Sequence, residues 1–198
     1  SGTVRLASDG AGSSAFSLPA LLPGESVERV ITVSQSGSLD SRLDLAILPD
    51  DTSSNSPLVT DPTSGIQIII DRCVAGAWAT TTPVAAMPTP PPAGARFACI
   101  PATPSAVPST QPVYRGPLVP RGITRNGTPT TTPVPIPVAD RLRPGDEASL
   151  RIRASLPEQP WSGDRTDDTA TAPGGNGSVA FEWRATGMNA NLSGTPLG

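Results

Sequence analysis

Short alternating runs of apolar and polar residues, separated by Gly, Pro, Ser and Asp, fill most of this chain and predict an all-β protein. Val4 and Leu6 share one face of a first strand, with Thr3, Arg5 and Ala7 on the other. Residues 15–18 read as a second short strand. In a third, Val27, Ile31 and Val33 share a face that Arg29 interrupts. Leu43, Leu45 and Ile47 alternate with Arg42, Asp44 and Ala46. The nearly continuous apolar run 66–71 predicts a central strand, with 96–100 returning beside it. Leu150 and Ile152 alternate with Arg151 and Arg153. Val179, Phe181, Trp183 and Ala185 form the cleanest inward face, so Val179, Phe181 and Trp183 are assigned to the core. No window sustains an apolar period of 3.6, and Pro interrupts most long stretches. Eight or nine strands in this order suit a jelly-roll-like β-sandwich of two packed sheets.

One phrase occurs twice. Leu21-Leu22-Pro23-Gly24-Glu25 leads into the run 26–33, and Leu142-Arg143-Pro144-Gly145-Asp146 leads into 148–154. Pro presets φ at the first central position of a type II turn, and Gly supplies the positive φ required at the next. A turn–strand unit repeated near both ends of the chain predicts two edges of one sandwich.

Composition narrows the chemistry. The 198 residues include 25 Pro and 19 Gly, and aromatic residues make up only 4%. The core must therefore be thin and β-branched. All 14 basic residues are Arg, and there is no His. A Ser-His-Asp or Cys-His site cannot be built from such a chain. His-containing zinc sites, Schiff-base lysines, the P-loop lysine and Lys–Asn isopeptide bonds are excluded too. The net charge is −3 and the arginines are scattered, which argues against nucleic-acid binding. No run is long and apolar enough for a membrane span, and no signal peptide is read; a secreted chain would begin at or after a processing site. Cys73 and Cys99, with 25 residues between them, read as one disulfide if the protein is secreted, or else as two small buried hydrophobes.

Residues 83–138 hold 15 of the 25 prolines and read as a long Pro/Thr-rich insertion within a single domain spanning 1–198. The expectation is that the insertion packs against its own domain or a neighbour and adds little to the core. Deleting 101–138 would then leave a folded β-protein. Asp50, Asp51, Asp164, Asp167 and Asp168 are the densest carboxylates, but they lack EF-hand spacing and read as solvated turn residues. A glycosidase pair would need sugar-stacking aromatics that the core already claims. Asn126, Asn176 and Asn191 fit a glycosylation sequon, as chance allows in a chain rich in Ser and Thr. Leu118-Val119-Pro120-Arg121-Gly122 looks like a thrombin-type cleavage sequence and is read as fortuitous. No catalytic residue, cofactor or metal site is assigned.

The order of several pieces resembles the TasA/camelysin-like secreted proteins. Gly2-Thr3-Val4-Arg5-Leu6 comes first, then the L-x-P-G-acid turn and its strand, then the polar turn 35–39 and another strand. The closing run Val179-Ala180-Phe181-Glu182-Trp183-Arg184-Ala185-Thr186 is similar to that family's C-terminal strand. The likeness covers roughly 1–48 and 142–188; the middle does not match closely. It implies a jelly-roll subunit of extracellular or biofilm-matrix fibres. The metalloprotease activity described for camelysin relatives does not carry over, because that chemistry needs histidines.

The expected function is thus a non-enzymatic structural subunit, secreted or at the cell surface. Its partners would be copies of itself, joined head-to-tail by donor-strand complementation, with accessory matrix or anchoring proteins alongside. The donor would be the strand Thr3-Val4-Arg5-Leu6-Ala7, or else the tail 189–198, with ordinary side-by-side packing of subunits as the remaining mode. The alternative is a monomeric adhesion or decoration module of the same fold.

Overall fold

The computed structural model describes residues 3, 6–8, 21, 24–49, 57–81, 96–123, 129–157 and 179–188. In chain order these form β1 (Leu6–Ser8), β2 (Ser26–Gln35), β3 (Ser41–Pro49), the single-turn α1 (Pro57–Thr60) and β4 (Gln67–Val74). Then follow β5 (Gly76–Thr80), β6 (Phe97–Pro101), β7 (Ser109–Pro117), β8 (Arg121–Ile123) and β9 (Pro129–Pro133). β10 (Ile136–Leu142), β11 (Glu147–Ser155) and β12 (Val179–Gly187) complete the series. The protein is mostly β, and every pairing among the described strands is antiparallel.

A five-stranded sheet runs β1-β2-β11-β4-β7 and a three-stranded sheet runs β10-β3-β12. One side of each sheet contributes to a single core. Val27, Ile31, Ile68 and Ile152 come from the first sheet, and Leu43, Leu45, Val138 and Phe181 from the second. The core is aliphatic apart from Phe181, as the low aromatic content requires. Arg29 stands in register with the buried Ile152 and is itself partly covered. Burial pushes its guanidinium pKa down.

Both repeated turns have the left-handed glycine that the phrase predicts, with φ 83° at Gly24 and 87° at Gly145. Their placement differs from expectation. The strands they feed are not two edges but neighbours inside the five-stranded sheet, paired from Glu147↔Ser34 to Ser155↔Ser26. Each turn closes on the end of the other's strand. The Gly24 N–H donates to the Leu156 carbonyl (2.8 Å) and the Leu156 N–H to that of Glu25 (3.1 Å). The Gly145 N–H donates to the Gln35 carbonyl (2.8 Å) and the Gln35 N–H to that of Asp146 (3.0 Å). Two copies of one unit running antiparallel are related by a local two-fold, so each supplies the end of the other.

Two further expectations are corrected. Residues 96–100 do not return beside β4: β6 pairs with β5 in a separate two-stranded ribbon, and β4 lies between β11 and β7. The Pro-rich stretch 83–138 is not peripheral to the core. It supplies β7, which pairs with β4 along Gln67↔Pro117 to Val74↔Ser109. It also supplies Leu118, Val119, Ile136 and Val138 to the core. Proline density misled here because an edge strand tolerates Pro: β7 has a neighbour on one side only among the described strands, and a register shift falls where Pro112 enters. Residues 82–95, with the run Pro88-Thr89-Pro90-Pro91-Pro92, lie outside the described residues, as does the strand expected at 15–18.

Candidate functional site

Three places stand out, two of them carrying residues that the pattern singled out. The first is the N-terminal strand. Leu6, Ala7 and Ser8 form β1 and pair with Gln35, Ser34 and Val33 of the same chain. Before it, the Thr3 carbonyl accepts from the Ser38 N–H (2.7 Å) and the Thr3 N–H donates to Ser38 Oγ (3.0 Å). The partner turn is itself held by Gln35, whose buried amide donates to the Leu39 carbonyl (2.5 Å) and accepts from the Gly37 N–H (3.1 Å). Val4 and Arg5 lie outside the described residues. In the single chain, therefore, this segment completes its own sheet, through three residue pairs among the described residues together with the Thr3–Ser38 bonds.

The second place is β12, in continuous register with β3 from Val179↔Pro49 to Gly187↔Ser41. Phe181 is buried in the core and Trp183 packs, partly buried, against it. The Val179 side chain lies outside the described residues. On the opposite side of the same strand, Arg184 Nε donates to Glu182 Oε1 (2.9 Å) at the surface.

The third place, which pattern reasoning missed, is the β5–β6 ribbon on the outer side of the five-stranded sheet. It is fixed covalently by the Cys73–Cys99 disulfide, whose Cα atoms are 5.5 Å apart. The other ties are polar. Glu28 projects from β2 and its side chain is fully covered. Its Oε1 accepts from Arg153 Nε (2.7 Å), its Oε2 from the Phe97 N–H (2.9 Å), and Arg96 Nε lies 3.8 Å away. Arg96 also donates to Ser26 Oγ (2.8 Å). Beside this group Arg151 pairs with Asp71 (2.5 Å) and donates to the Phe97 carbonyl (2.9 Å). Its guanidinium sits 4.6 Å from the centroid of the Trp78 ring, a cation–π contact. The indole N–H of Trp78 donates to the Ser149 carbonyl (3.1 Å).

Strand alternation accounts for this convergence. Arg151 faces Asp71 and Val30 across the sheet, and Arg153 faces Ile69 and Glu28, all with side chains opposite to the core. Sequence alternation labels these positions solvent-facing. Only the ribbon folding back over them covers them, fully at Glu28 and in part at Arg151 and Arg153.

What this arrangement can do is hold one layer on another with directional, charge-assisted bonds. Among the described residues no group of three or more His, Cys, Asp and Glu could hold a metal ion. The clearest carboxylate shift belongs to Asp61, whose Oδ1 accepts from the N–H groups of Thr63 and Ser64 (2.8 Å each). Those bonds pull its pKa down to about 2, the signature of a turn rather than of an acid catalyst. Asp50, Asp51, Asp164, Asp167, Asp168 and the three sequon asparagines lie outside the described residues. In the thrombin-like sequence, Leu118 and Val119 are buried in the core, which hides it from a protease. No described helix is long and apolar enough to cross a membrane. No protein-family model matches the chain, no curated protein matches it, and neither comparison links it to the TasA/camelysin-like proteins.

Proposed function

We propose that this protein is a structural subunit of an extracellular filament, a single-domain jelly-roll-like sandwich that assembles by exchange of its N-terminal strand. The observation that carries the reading is how lightly the N-terminal segment is tied to its own sheet: among the described residues it is held by three residue pairs and the Thr3–Ser38 bonds, few enough to be released and re-paired on another copy. Re-pairing would leave each copy with one strand given and one received, a head-to-tail contact that propagates instead of closing.

Other features support the finer points. β2 leads to β3 in the second sheet, β4 returns to the first, and β10 hands over to β11 across the sheets. Non-consecutive neighbours such as β2 and β11, then β11 and β4, are what the long connections of a jelly roll produce. The disulfide is compatible with an oxidising, extracellular setting. The partners proposed are copies of the same chain, with accessory matrix or anchoring proteins at filament ends. The second reading is a monomeric cell-surface adhesion or decoration module. It is favoured by the fact that β1 already completes its own sheet in the single chain.

Negative-stain microscopy and size-exclusion chromatography of native material separate the two. Filaments are expected from the full chain. A variant lacking residues 1–8 should stay a soluble monomer, and the free 1–8 peptide should cap growing filaments. Filaments formed as well by the truncated chain would overturn strand exchange at this end. Native material that never leaves the monomer would favour the second reading.

A further inference from the structure

We infer that the β5–β6 ribbon is a redox-controlled strap: the Cys73–Cys99 disulfide holds it down over the charged outer side of the five-stranded sheet, and reduction lets it lift while the sheets stay folded. The inference is independent of whether the chain polymerises.

The connectivity sets this up. β5 and β6 pair only with each other among the described strands, so no backbone ladder joins the ribbon to the sheet beneath. At one end the ribbon turns off β4 through a single corner. Ala75 there has a positive φ of 56°, a conformation rarely taken by a residue with a side chain. The Ala102 N–H donates to the Ala75 carbonyl (3.2 Å), which closes the far strand onto the same corner. Beyond the corner, the disulfide is the one covalent tie between ribbon and sheet, from β4 to the middle of β6.

The energetics of the interface make lifting possible. A layer that covers aliphatic core cannot leave without exposing it. This layer instead covers the Glu28 carboxylate and the Arg151–Asp71 pair and sets its own Trp78 and Phe97 beside them. Trp78 and Phe97 are mostly covered when docked and belong to neither face of the aliphatic core, so lifting exposes two aromatic side chains and leaves that core closed. The charged groups lose water when covered and regain it when uncovered, which offsets the bonds given up. Without the cross-link the ribbon is held only by these two aromatics and a few charge-assisted bonds, and the cross-link tips the balance towards the docked state. It does so by removing the extended arrangements of a loop with a sequence separation of 26 residues. Reduction by a dithiol transfers two electrons and two protons to the Sγ–Sγ bond, giving two thiols while the dithiol becomes a disulfide. Glu28 keeps its pairing with Arg153, both on the sheet, and loses the Phe97 N–H and Arg96, both from the ribbon side.

The test is amide hydrogen exchange on the full chain, oxidised, then in excess dithiothreitol, then as the Cys73→Ala/Cys99→Ala double variant. The Phe97 amide and the Trp78 indole N–H report on the strap. The amides of Leu150 and Ile31, in the β2–β11 pairing, report on the sheet. Reduction and the double variant should each speed exchange at the strap by about tenfold or more, with the sheet amides within about twofold. Unchanged protection at Phe97 and Trp78 would show that the polar contacts suffice and overturn the inference. Strap and sheet losing protection together would overturn it as well, by making the disulfide a staple of the whole fold.

Discussion

Tyr114 is the protein's single tyrosine and sits half-buried against the core. Its hydroxyl donates to the Pro117 carbonyl (2.9 Å) across Gly116, where a Cβ would meet that hydroxyl at 2.6 Å. Burial raises its pKa to about 12, because the phenolate is the form that loses hydration. The folded value exceeds the unfolded one of about 10, so the group's contribution to stability is full below pH ~10 and is lost as pH rises through 12. The tyrosinate absorbance of the native protein should titrate near 12, and near 10 once urea has unfolded it. A native midpoint near 10 would show that the phenol is solvated. The alternation that placed Trp183 facing inward was readable from Val179–Ala185. Its partial exposure was not, because burial of an inward side chain depends on what the facing layer supplies.

At the scale of elements, the two turns are the local features that the residues dictate most directly. A Cβ at Gly145 would meet nothing within 4 Å, so a substitution there tests backbone conformation alone. Gly145→Ala should cost about 1–2 kcal/mol, the penalty for an L-residue in the left-handed region. For a chain of this size the thermal midpoint should fall by roughly 2–8 °C. Calorimetry of the variant checks this, and an unchanged midpoint would mean that the turn adopts another type at no cost. Legible, too, were the strands at 26–33, 42–47, 66–71 and 148–154, because each has apolar residues at a spacing of two. What their patterns could not supply was which strand each would meet. β2 and β11 are more than a hundred residues apart, and either could have paired elsewhere with the same face inward.

For the whole molecule, the Pro-rich middle is where tertiary structure reverses local expectation. Residues 101–138 contain edge strand β7 and core residues Leu118, Val119, Ile136 and Val138. Their deletion would strip one strand from the five-stranded sheet and leave Ile68 and Ile70 without part of their packing. Losing one large buried aliphatic costs about 2–5 kcal/mol, and four together exceed the ordinary stability of a domain. The deletion variant should therefore fail to fold, with circular dichroism showing no cooperative thermal transition. A cooperative β-protein would return the segment to the status of a dispensable insertion.

The amino-acid sequence by itself determined the β character, the positive-φ turns, the aliphatic core and the absence of histidine and lysine chemistry. Each follows from residue identity or from a spacing of two, neither of which needs a partner. That Cys73 and Cys99 are bonded was a reading conditional on compartment, and the fold brings them together. Only the tertiary structure decided that β2 and β11 are neighbours, that a proline-dense segment enters the core, and that Glu28, Asp71 and Arg151 are covered by a strap carrying Trp78. Those outcomes depend on contacts between segments far apart in the chain. An alternating strand states which of its sides is apolar, and it carries no record of what will cover the other.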